Sequence, residues 1–268
     1  MGAGNEYGHP RRVTLEHLAA IPGLRVLRTD LDGTVSVDGS PAYARKACEA
    51  SLKRLNMECI DLYYLHRMDP RISIEESIGG MADLVKAGKV KEIGICNSTA
   101  ELIRRAHKTH TLAAVQMEYS LMERSVEREV LPACKELGIT FVAYGPLTYA
   151  FLSGDVQNPG DLPANDMFRR RQSRFAEDSI RHNLGLLAAL DEVRAESGGT
   201  RAQLALAWTL HRPWDVLPIP GSTKLQHLRD NAAAAELKLT AAQVAKLDAA
   251  FAPQAVMGSA AGGAAPAR

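Results

Sequence analysis

The sequence carries four apolar segments of strand length: IDLYYLH at 60–66, KEIGICN at 91–97, AAVQMEY at 113–119 and ITFVAYG at 139–145. Between them lie stretches whose apolar residues recur at helical spacing. This alternation of strands and helices indicates a parallel sheet with helices outside it.

Residues typical of helix starts and helix ends mark the limits of these intervening stretches. Ser40 is a natural N-cap and Pro41 suits the first helical position, while Gly88 is a good residue just past a helix end. The segments 200–203 and 240–243 have the capping-box pattern. We predict helices at 75–87, 125–137, 180–196, 201–211 and 224–235.

Two further strand candidates, 24–28 and 215–221, bring the number of predicted strands to six. The pattern G-x-G-x-x-G follows none of them, which weakens a Rossmann interpretation. The remaining common α/β architecture is the TIM-type barrel, whose active sites lie at the C-terminal ends of its eight strands. We therefore expect a barrel of this type, with two strands fewer than a closed one.

The composition excludes several classes of protein. With 32 Lys and Arg against 31 Asp and Glu, the formal net charge is +1, which gives no field to attract nucleic acid or an anionic membrane. The longest apolar runs fall short of the ~20 residues that a membrane span needs. Residues 1–12 have no signal-peptide pattern, and the four cysteines form no CxxC pair, so we expect neither a metal site nor disulfides. We expect a cytoplasmic protein.

Polar or otherwise distinctive residues stand where the predicted strands end. The ends carry His66, Asn97, Gln116, Tyr144 and Ser222. In a barrel these positions begin the ligand-binding loops, so we expect a ligand site built from them.

Over more than three quarters of the chain, an ordered set of motifs resembles the aldo-keto reductases, in particular the bacterial and plant branch that contains YYxHRxDP. The matching segments are YYLHRMDP at 63–70, GKVKEIGICN at 88–97, QMEYSLMER at 116–124, GITFVAYGPL at 138–147, DLPANDMFRRRQSRF at 161–175, LALAWTL at 204–210 and PIPGSTKLQHLRDN at 218–231. The resemblance implies a (β/α)8 barrel that transfers a hydride between NADPH and a small aldehyde or ketone, here apparently lacking its first two strands.

The family's catalytic residues are Asp, Tyr, Lys and His, and only the histidine has a match of the same residue type in this sequence. His66 stands where the family has the histidine that polarises the carbonyl. Asp30 stands at the position of the lysine and Met1 at that of the proton-donating tyrosine, and the family's aspartate, which precedes that tyrosine, has no match in this sequence. A positioned acid stabilises the alkoxide that hydride addition creates, so we expect little carbonyl reduction by this chain.

The cofactor positions of the family are better matched. Asn97 and Gln116 match residues that bind the nicotinamide carboxamide, with Cys96 in place of a serine, and Tyr144 matches the aromatic residue that stacks on the nicotinamide ring. Gly145 and Leu147 match the pyrophosphate path. The adenosine end is matched by residues for the 2′-phosphate (Ser222, Thr223, Lys224 and His227) and for the adenine (Asp230 and Asn231).

Two alternatives stay open. One is a catalytically inactive homologue that binds NADPH or a partner protein. The other is a haloacid-dehalogenase-type phosphatase, because Asp30 and Asp32 in the segment DLDGTV match that family's nucleophile loop. No Asp-Asp pair follows downstream, and the following 200 residues match the aldo-keto reductase motifs instead, which disfavours the phosphatase.

Two irregular segments complete the chain. We predict a single oxidoreductase domain over 1–252 and a disordered Ala- and Gly-rich tail over 253–268. Within the domain, the long segment 147–176 interrupts the strand and helix rhythm, and loops of this length are usually functional or mobile. Its basic run at 169–171 is interpreted as solvated or loop-anchoring.

Overall fold

The computed structural model describes residues 27–29 and 35–260. Its strands are β1 (Leu27–Thr29), β2 (Val35–Val37), β3 (Ile60–Leu65), β4 (Val90–Cys96), β5 (Ala114–Glu118), β6 (Thr140–Tyr144) and β7 (Val216–Pro218). Strands β3 to β7 form one sheet in which each strand neighbours the next one in sequence. The pairs β3–β4 and β6–β7 are parallel, so the predicted α/β fold class is confirmed.

Of the strand predicted at 24–28, the structure describes residues 27 and 28, which lie in β1 outside this sheet. Strand β1 pairs antiparallel with β2 in a separate two-stranded sheet, with Leu27 opposite Val37. The prediction of a further parallel strand is wrong because a short apolar run signals a strand without specifying its partner. Met1, Asp30 and Asp32, which bear on the catalytic and phosphatase interpretations, lie outside the described residues.

Helices connect the strands. They are α1 (Pro41–Leu55), α2 (Ile74–Lys86), α3 (Ala100–Thr109), α4 (Val130–Leu137), α5 (Met167–Arg170), α6 (Glu177–Leu184), α7 (Leu187–Ser197), α8 (Arg201–Leu210), α9 (Leu225–Ala233) and α10 (Ala241–Ala250). The helix predicted at 125–137 starts with a separate 3-10 turn, Ser125–Glu127, and the one predicted at 180–196 is broken between α6 and α7. Along the described part of the chain, no helix has both the length and the apolar composition needed to cross a bilayer.

The described residues cluster into two compact units. The first contains the described residues up to Cys96, with Glu101–Ala114 and Glu136–Ile139, and the second contains Asn97–Ala100, Val115–Lys135 and the described residues from Thr140 onward. The single domain over 1–252 stays a prediction.

In the first unit, α1 and α2 pack closely against each other. Ser40 caps α1 as predicted, since its hydroxyl accepts a hydrogen bond from the Tyr43 N–H at 3.1 Å. A Cβ atom on Gly80 would lie 2.6 Å from the Cβ of Pro41, which is inside van der Waals contact. The absence of a side chain at Gly80 therefore allows the start of α1 to approach α2.

Asp69 holds the segment that enters α1. Its buried carboxylate accepts hydrogen bonds from the Gly39 N–H at 3.1 Å and from Arg71 Nε and Nη2 at 2.9 and 2.8 Å. Arg71 also donates to the carbonyl of Val37, and the Ser77 hydroxyl donates to the carbonyl of Gly39. Arg71, followed by the backbone N–H donors, holds the pKa of Asp69 well below its usual range.

We expect Asp69→Asn to lower the free energy of unfolding at pH 7 by about 1.5–3 kcal/mol, because hydrogen bonds to a charged group contribute about that much. The folded-state pKa is lower than the unfolded one, so the carboxylate stabilises the fold above the ordinary aspartate pKa of about 3.9. Its contribution is lost as the pH falls from there through the folded-state pKa. Urea denaturation at pH 7 and pH 3 measures both effects.

The matched control is Asp83→Asn, which removes a carboxylate from the exposed ion pair with Lys86. Exposed pairs contribute about 0–1 kcal/mol, so this variant should stay close to the native protein. Equal losses in the two variants, or an Asp69→Asn loss that does not shrink at pH 3, would contradict the role given to Asp69.

The second unit has an aromatic core. Tyr119 lies 5.4 Å from Trp208 and 6.0 Å from Phe141 between ring centroids. All three side chains are buried. They join the end of β5 to strand β6 and helix α8.

A cluster of opposite charges adjoins this core. Arg212 donates to Asp248 at 2.9 Å and to Glu127 at 3.2 Å, and Arg124 pairs with the same two carboxylates at 3.0 and 2.9 Å. The indole N–H of Trp208 also donates to Asp248, at 3.1 Å. The guanidinium carbons of Arg212 and Arg124 lie 4.8 and 5.3 Å from the Trp208 ring centroid, so the cluster gains cation–π contacts as well.

The first part of the predicted tail makes specific contacts. The amide of Asn183 donates to the Met257 carbonyl at 2.8 Å and accepts from the Met257 N–H at 2.9 Å. The N–H of Ser259 donates to the Ser173 hydroxyl at 2.9 Å. Disorder stays a prediction for 261–268, which lie outside the described residues.

Candidate functional site

A cavity of about 650 Å³ in the second unit adjoins the ends of β6 and β7. Its walls come from the segment after β6, the residues after β7 and one side of α9. The predicted cofactor residues that line it are Tyr144, Gly145, Leu147, His227, Asp230 and Asn231. The structure therefore brings together residues that are up to 87 positions apart, Tyr144 and Asn231, around one space.

Asn97 and Gln116 are both predicted to bind the carboxamide. Hydrogen bonds connect Asn97 to Gln116 and to Tyr144. The N–H of Asn97 donates to the Gln116 carbonyl at 3.0 Å, and the Tyr144 hydroxyl donates to Asn97 Oδ1 at 2.8 Å. Asn97 has φ 50°, a left-handed conformation that asparagine tolerates better than most residues. The phenol of a cavity-lining residue thus orients the Asn97 amide.

Cys96 ends β4 in the first unit and is buried. Burial raises the pKa of its thiol to about 12, so the group stays protonated at neutral pH. A thiol is a weak hydrogen-bond donor, which makes Cys96 a poor substitute for a serine hydroxyl.

The residues predicted to receive a 2′-phosphate divide into two groups. His227 lines the cavity, whereas Ser222, Thr223 and Lys224 lie on the exposed segment that leads into α9 and are not among its lining residues. The Ser222 hydroxyl donates to the Lys224 carbonyl at 3.0 Å and accepts from the Lys224 N–H at 3.1 Å. This turn holds the Lys224 backbone at the start of the helix.

His66 directly follows β3, as predicted, and its side chain is partly buried. It belongs to the first unit, and the cavity is built from residues of the second. Its role in catalysis stays a prediction.

Several residues that line the cavity were not predicted from the sequence. Most come from the long segment after β6, namely Tyr149, Ala150, Ser153, Asp155, Asp166, Phe168 and Arg169, and the others include Thr200, Ala202, Ile219 and Pro220. Arg169 pairs with Asp166 at 2.6 Å and donates to the Tyr149 carbonyl at 3.0 Å, which is the loop-anchoring role considered for the basic run. The length of the segment was the only sequence signal for this wall.

Comparisons with known proteins identify the same family as the sequence motifs. A model of the aldo/keto reductase family matches residues 23–252. The glycerol dehydrogenase AKR11B4 from Gluconobacter oxydans is 26% identical with a TM-score of 0.75, over 82% of this chain and 68% of that chain. The thermostable aldo-keto reductase Tm1743, solved in complex with the inhibitor epalrestat, is 28% identical with a TM-score of 0.64, over 79% of this chain and 67% of that chain.

Proposed function

The chain belongs to the aldo/keto reductase family, and from this membership we propose that it binds NADPH in the cavity beside β6 and β7 and acts on an aldehyde or ketone. Members of the family are oxidoreductases that use a nicotinamide cofactor on small carbonyl substrates. The observation that carries the proposal is the convergence of Tyr144, Gly145, Leu147 and three residues of α9 on one cavity.

The cavity suits a dinucleotide. Its volume of about 650 Å³ lies within the range of about 300–1,000 Å³ typical of ligand pockets. Asn97 and Gln116 are not among the lining residues, but Asn97 is bonded to the lining residue Tyr144, and the two would hold the carboxamide beside the cavity. Asp230 and Asn231 would hold the adenine, and His227 with Lys224 the 2′-phosphate. When bound, the nicotinamide supplies or accepts the hydride.

The chemical step is proposed to be weak in this chain. His66 can donate a hydrogen bond to a carbonyl oxygen, but the motif resemblance puts Met1 and Asp30 at the family's tyrosine and lysine positions. Tyr149 lines the cavity, yet burial raises the pKa of its phenol, so it is a poorer acid than free tyrosine. A second candidate function, NADPH binding without catalysis, is favoured by these same replacements.

NADPH should bind saturably, and at least about tenfold more tightly than NADH, because one charge-assisted hydrogen bond to the 2′-phosphate contributes about 1.5–3 kcal/mol. Titration followed by cofactor emission and by calorimetry measures both affinities. Lys224→Ala should weaken NADPH binding and leave NADH binding unchanged.

The matched control is Lys238→Ala, which removes an exposed lysine outside the cavity lining. It should leave both affinities unchanged. Equal affinity for the two cofactors would contradict the NADPH preference, and the absence of saturable binding by either cofactor would contradict the proposed function as a whole.

A further inference from the structure

A buried ion pair connects the long segment after β6 to the end of β5. Arg174 Nη2 lies 2.5 Å from Glu118 Oε1, and both side chains are more than nine-tenths buried. Arg174 Nε donates to Gln172 Oε1 at 2.8 Å. Breaking such a pair is costly because it leaves one charge buried without its partner, so the pair holds Arg174 in one position.

Arg174 in turn supports Tyr149, which lines the cavity. Its guanidinium carbon lies 5.5 Å from the centroid of the Tyr149 ring, and the Phe168 ring meets the same ring edge-on with centroids 4.9 Å apart. The tip of the ring approaches Gly145, where an added Cβ would lie 3.3 Å from the Tyr149 hydroxyl oxygen. Tyr149 therefore contacts both the supporting ion pair and the backbone at the cavity.

The backbone around Tyr149 is unusual. Thr148, Tyr149 and Ala150 have φ values of 48°, 52° and 76°, a left-handed conformation that residues with a Cβ atom rarely adopt in succession. Such strain persists only where surrounding contacts impose it. Here the Thr148 and Ser120 hydroxyls hydrogen-bond at 3.1 Å, and Arg169 binds the Tyr149 carbonyl.

This turn supplies two residues with backbone N–H donors to the cavity lining. Among the described residues, the N–H groups of Tyr149 and Ala150 take part in no backbone–backbone hydrogen bond, and both residues line the cavity. Unpaired backbone N–H groups are well suited to bind anionic oxygens. The ring contacts of Tyr149 therefore support a turn whose residues line the cavity and whose N–H groups at 149 and 150 have no backbone partner.

We propose that Tyr149, held by the Arg174–Glu118 ion pair and by Phe168, is a positioning residue that fixes the turn 148–150 for the phosphate bridge of the bound cofactor. The inference rests on the proposed NADPH site and adds to it the side chains that maintain the shape of its wall. Tyr149 acts through its ring contacts, so a phenylalanine should serve nearly as well.

The test compares two ligands on three proteins: the native chain, Tyr149→Ala and Tyr149→Phe. NADPH spans the phosphate bridge, whereas adenosine 2′-monophosphate lacks it and reaches only the adenosine end. Tyr149→Ala should weaken NADPH binding about tenfold, and the 2′-monophosphate should bind all three proteins within about twofold of the native affinity. Tyr149→Phe should bind NADPH nearly as well as the native chain. Calorimetry measures the affinities, and far-UV circular dichroism checks the fold.

Native NADPH affinity in Tyr149→Ala would overturn the inference. So would an equal loss for both ligands, because it indicates a general structural defect. Equally weak NADPH binding by Tyr149→Phe and Tyr149→Ala would show that the hydroxyl is required, and it would contradict the ring-contact mechanism. If the native chain binds neither ligand, the proposed function fails and the inference falls with it.

Discussion

The 268-residue chain should oxidise NADPH with 4-nitrobenzaldehyde at least about a hundredfold more slowly than the roughly 10 s⁻¹ of an ordinary enzyme, because general acid catalysis typically contributes about 10²–10⁴-fold. The prediction rests on the motif resemblance, which puts Met1 and Asp30 at the positions of the family's proton donor and its supporting lysine. A methionine transfers no proton, and an aspartate cannot lower the pKa of a neighbouring acid. The rate is measured as loss of NADPH absorbance at saturating cofactor.

Two controls make a low rate informative. Saturable NADPH binding by the same sample shows that the cofactor site is folded, and His66→Ala should leave the background rate unchanged because one hydrogen-bond donor without an acid has little to accelerate. A turnover near about 1 s⁻¹, ordinary for an enzyme, would contradict the prediction. A rate that falls on His66→Ala would show that this histidine contributes to chemistry without the tyrosine.

The sequence predicted the elements whose signals are local. Strands β3 to β6 lie within one or two residues of their predicted ends, since short apolar runs between helix signals leave few alternatives. The capping boxes at Thr200 and Thr240 are confirmed, with the predicted hydrogen bonds to Gln203 and Gln243. The pairing of β1 was not predictable in this way, because a strand's partner is set by tertiary contacts.

The candidate site likewise contains residues that local sequence signals predict and residues that they do not. Tyr144, Asn97 and Gln116 were predicted from their places at strand ends, where a parallel α/β fold gathers its ligand-binding residues. Tyr149 and Arg174 were not, because their importance comes from a left-handed turn of residues other than glycine and from an ion pair that spans 56 positions. Neither feature can be recognised from the composition or the periodicity of the sequence.

Arg212→Met should lower the free energy of unfolding by about 2 kcal/mol, because Arg212 donates hydrogen bonds to partly buried carboxylates and such charged bonds contribute about 1.5–3 kcal/mol. Arg212 and Arg124 are both about 10% exposed and share Glu127 and Asp248 between them. Removing one guanidinium leaves two carboxylates with a single cation, and it also removes a cation–π contact with Trp208. Urea denaturation followed by far-UV circular dichroism measures the loss independently of changes around the indole.

A matched variant at an exposed ion pair distinguishes the effect of burial on stability from the effect of losing a charge. Arg181 pairs with Glu177 and Asp178 at the surface, and such pairs contribute about 0–1 kcal/mol, so Arg181→Met should have little effect on unfolding. Adding Glu127→Gln to Arg212→Met should recover part of the loss, because a single carboxylate, Asp248, then remains for the single cation Arg124. A loss below about 1 kcal/mol for Arg212→Met, or no recovery in the double variant, would show that Arg124 and solvent already balance these carboxylates. The cluster would then stabilise the fold through packing on Trp208 and not through its charges.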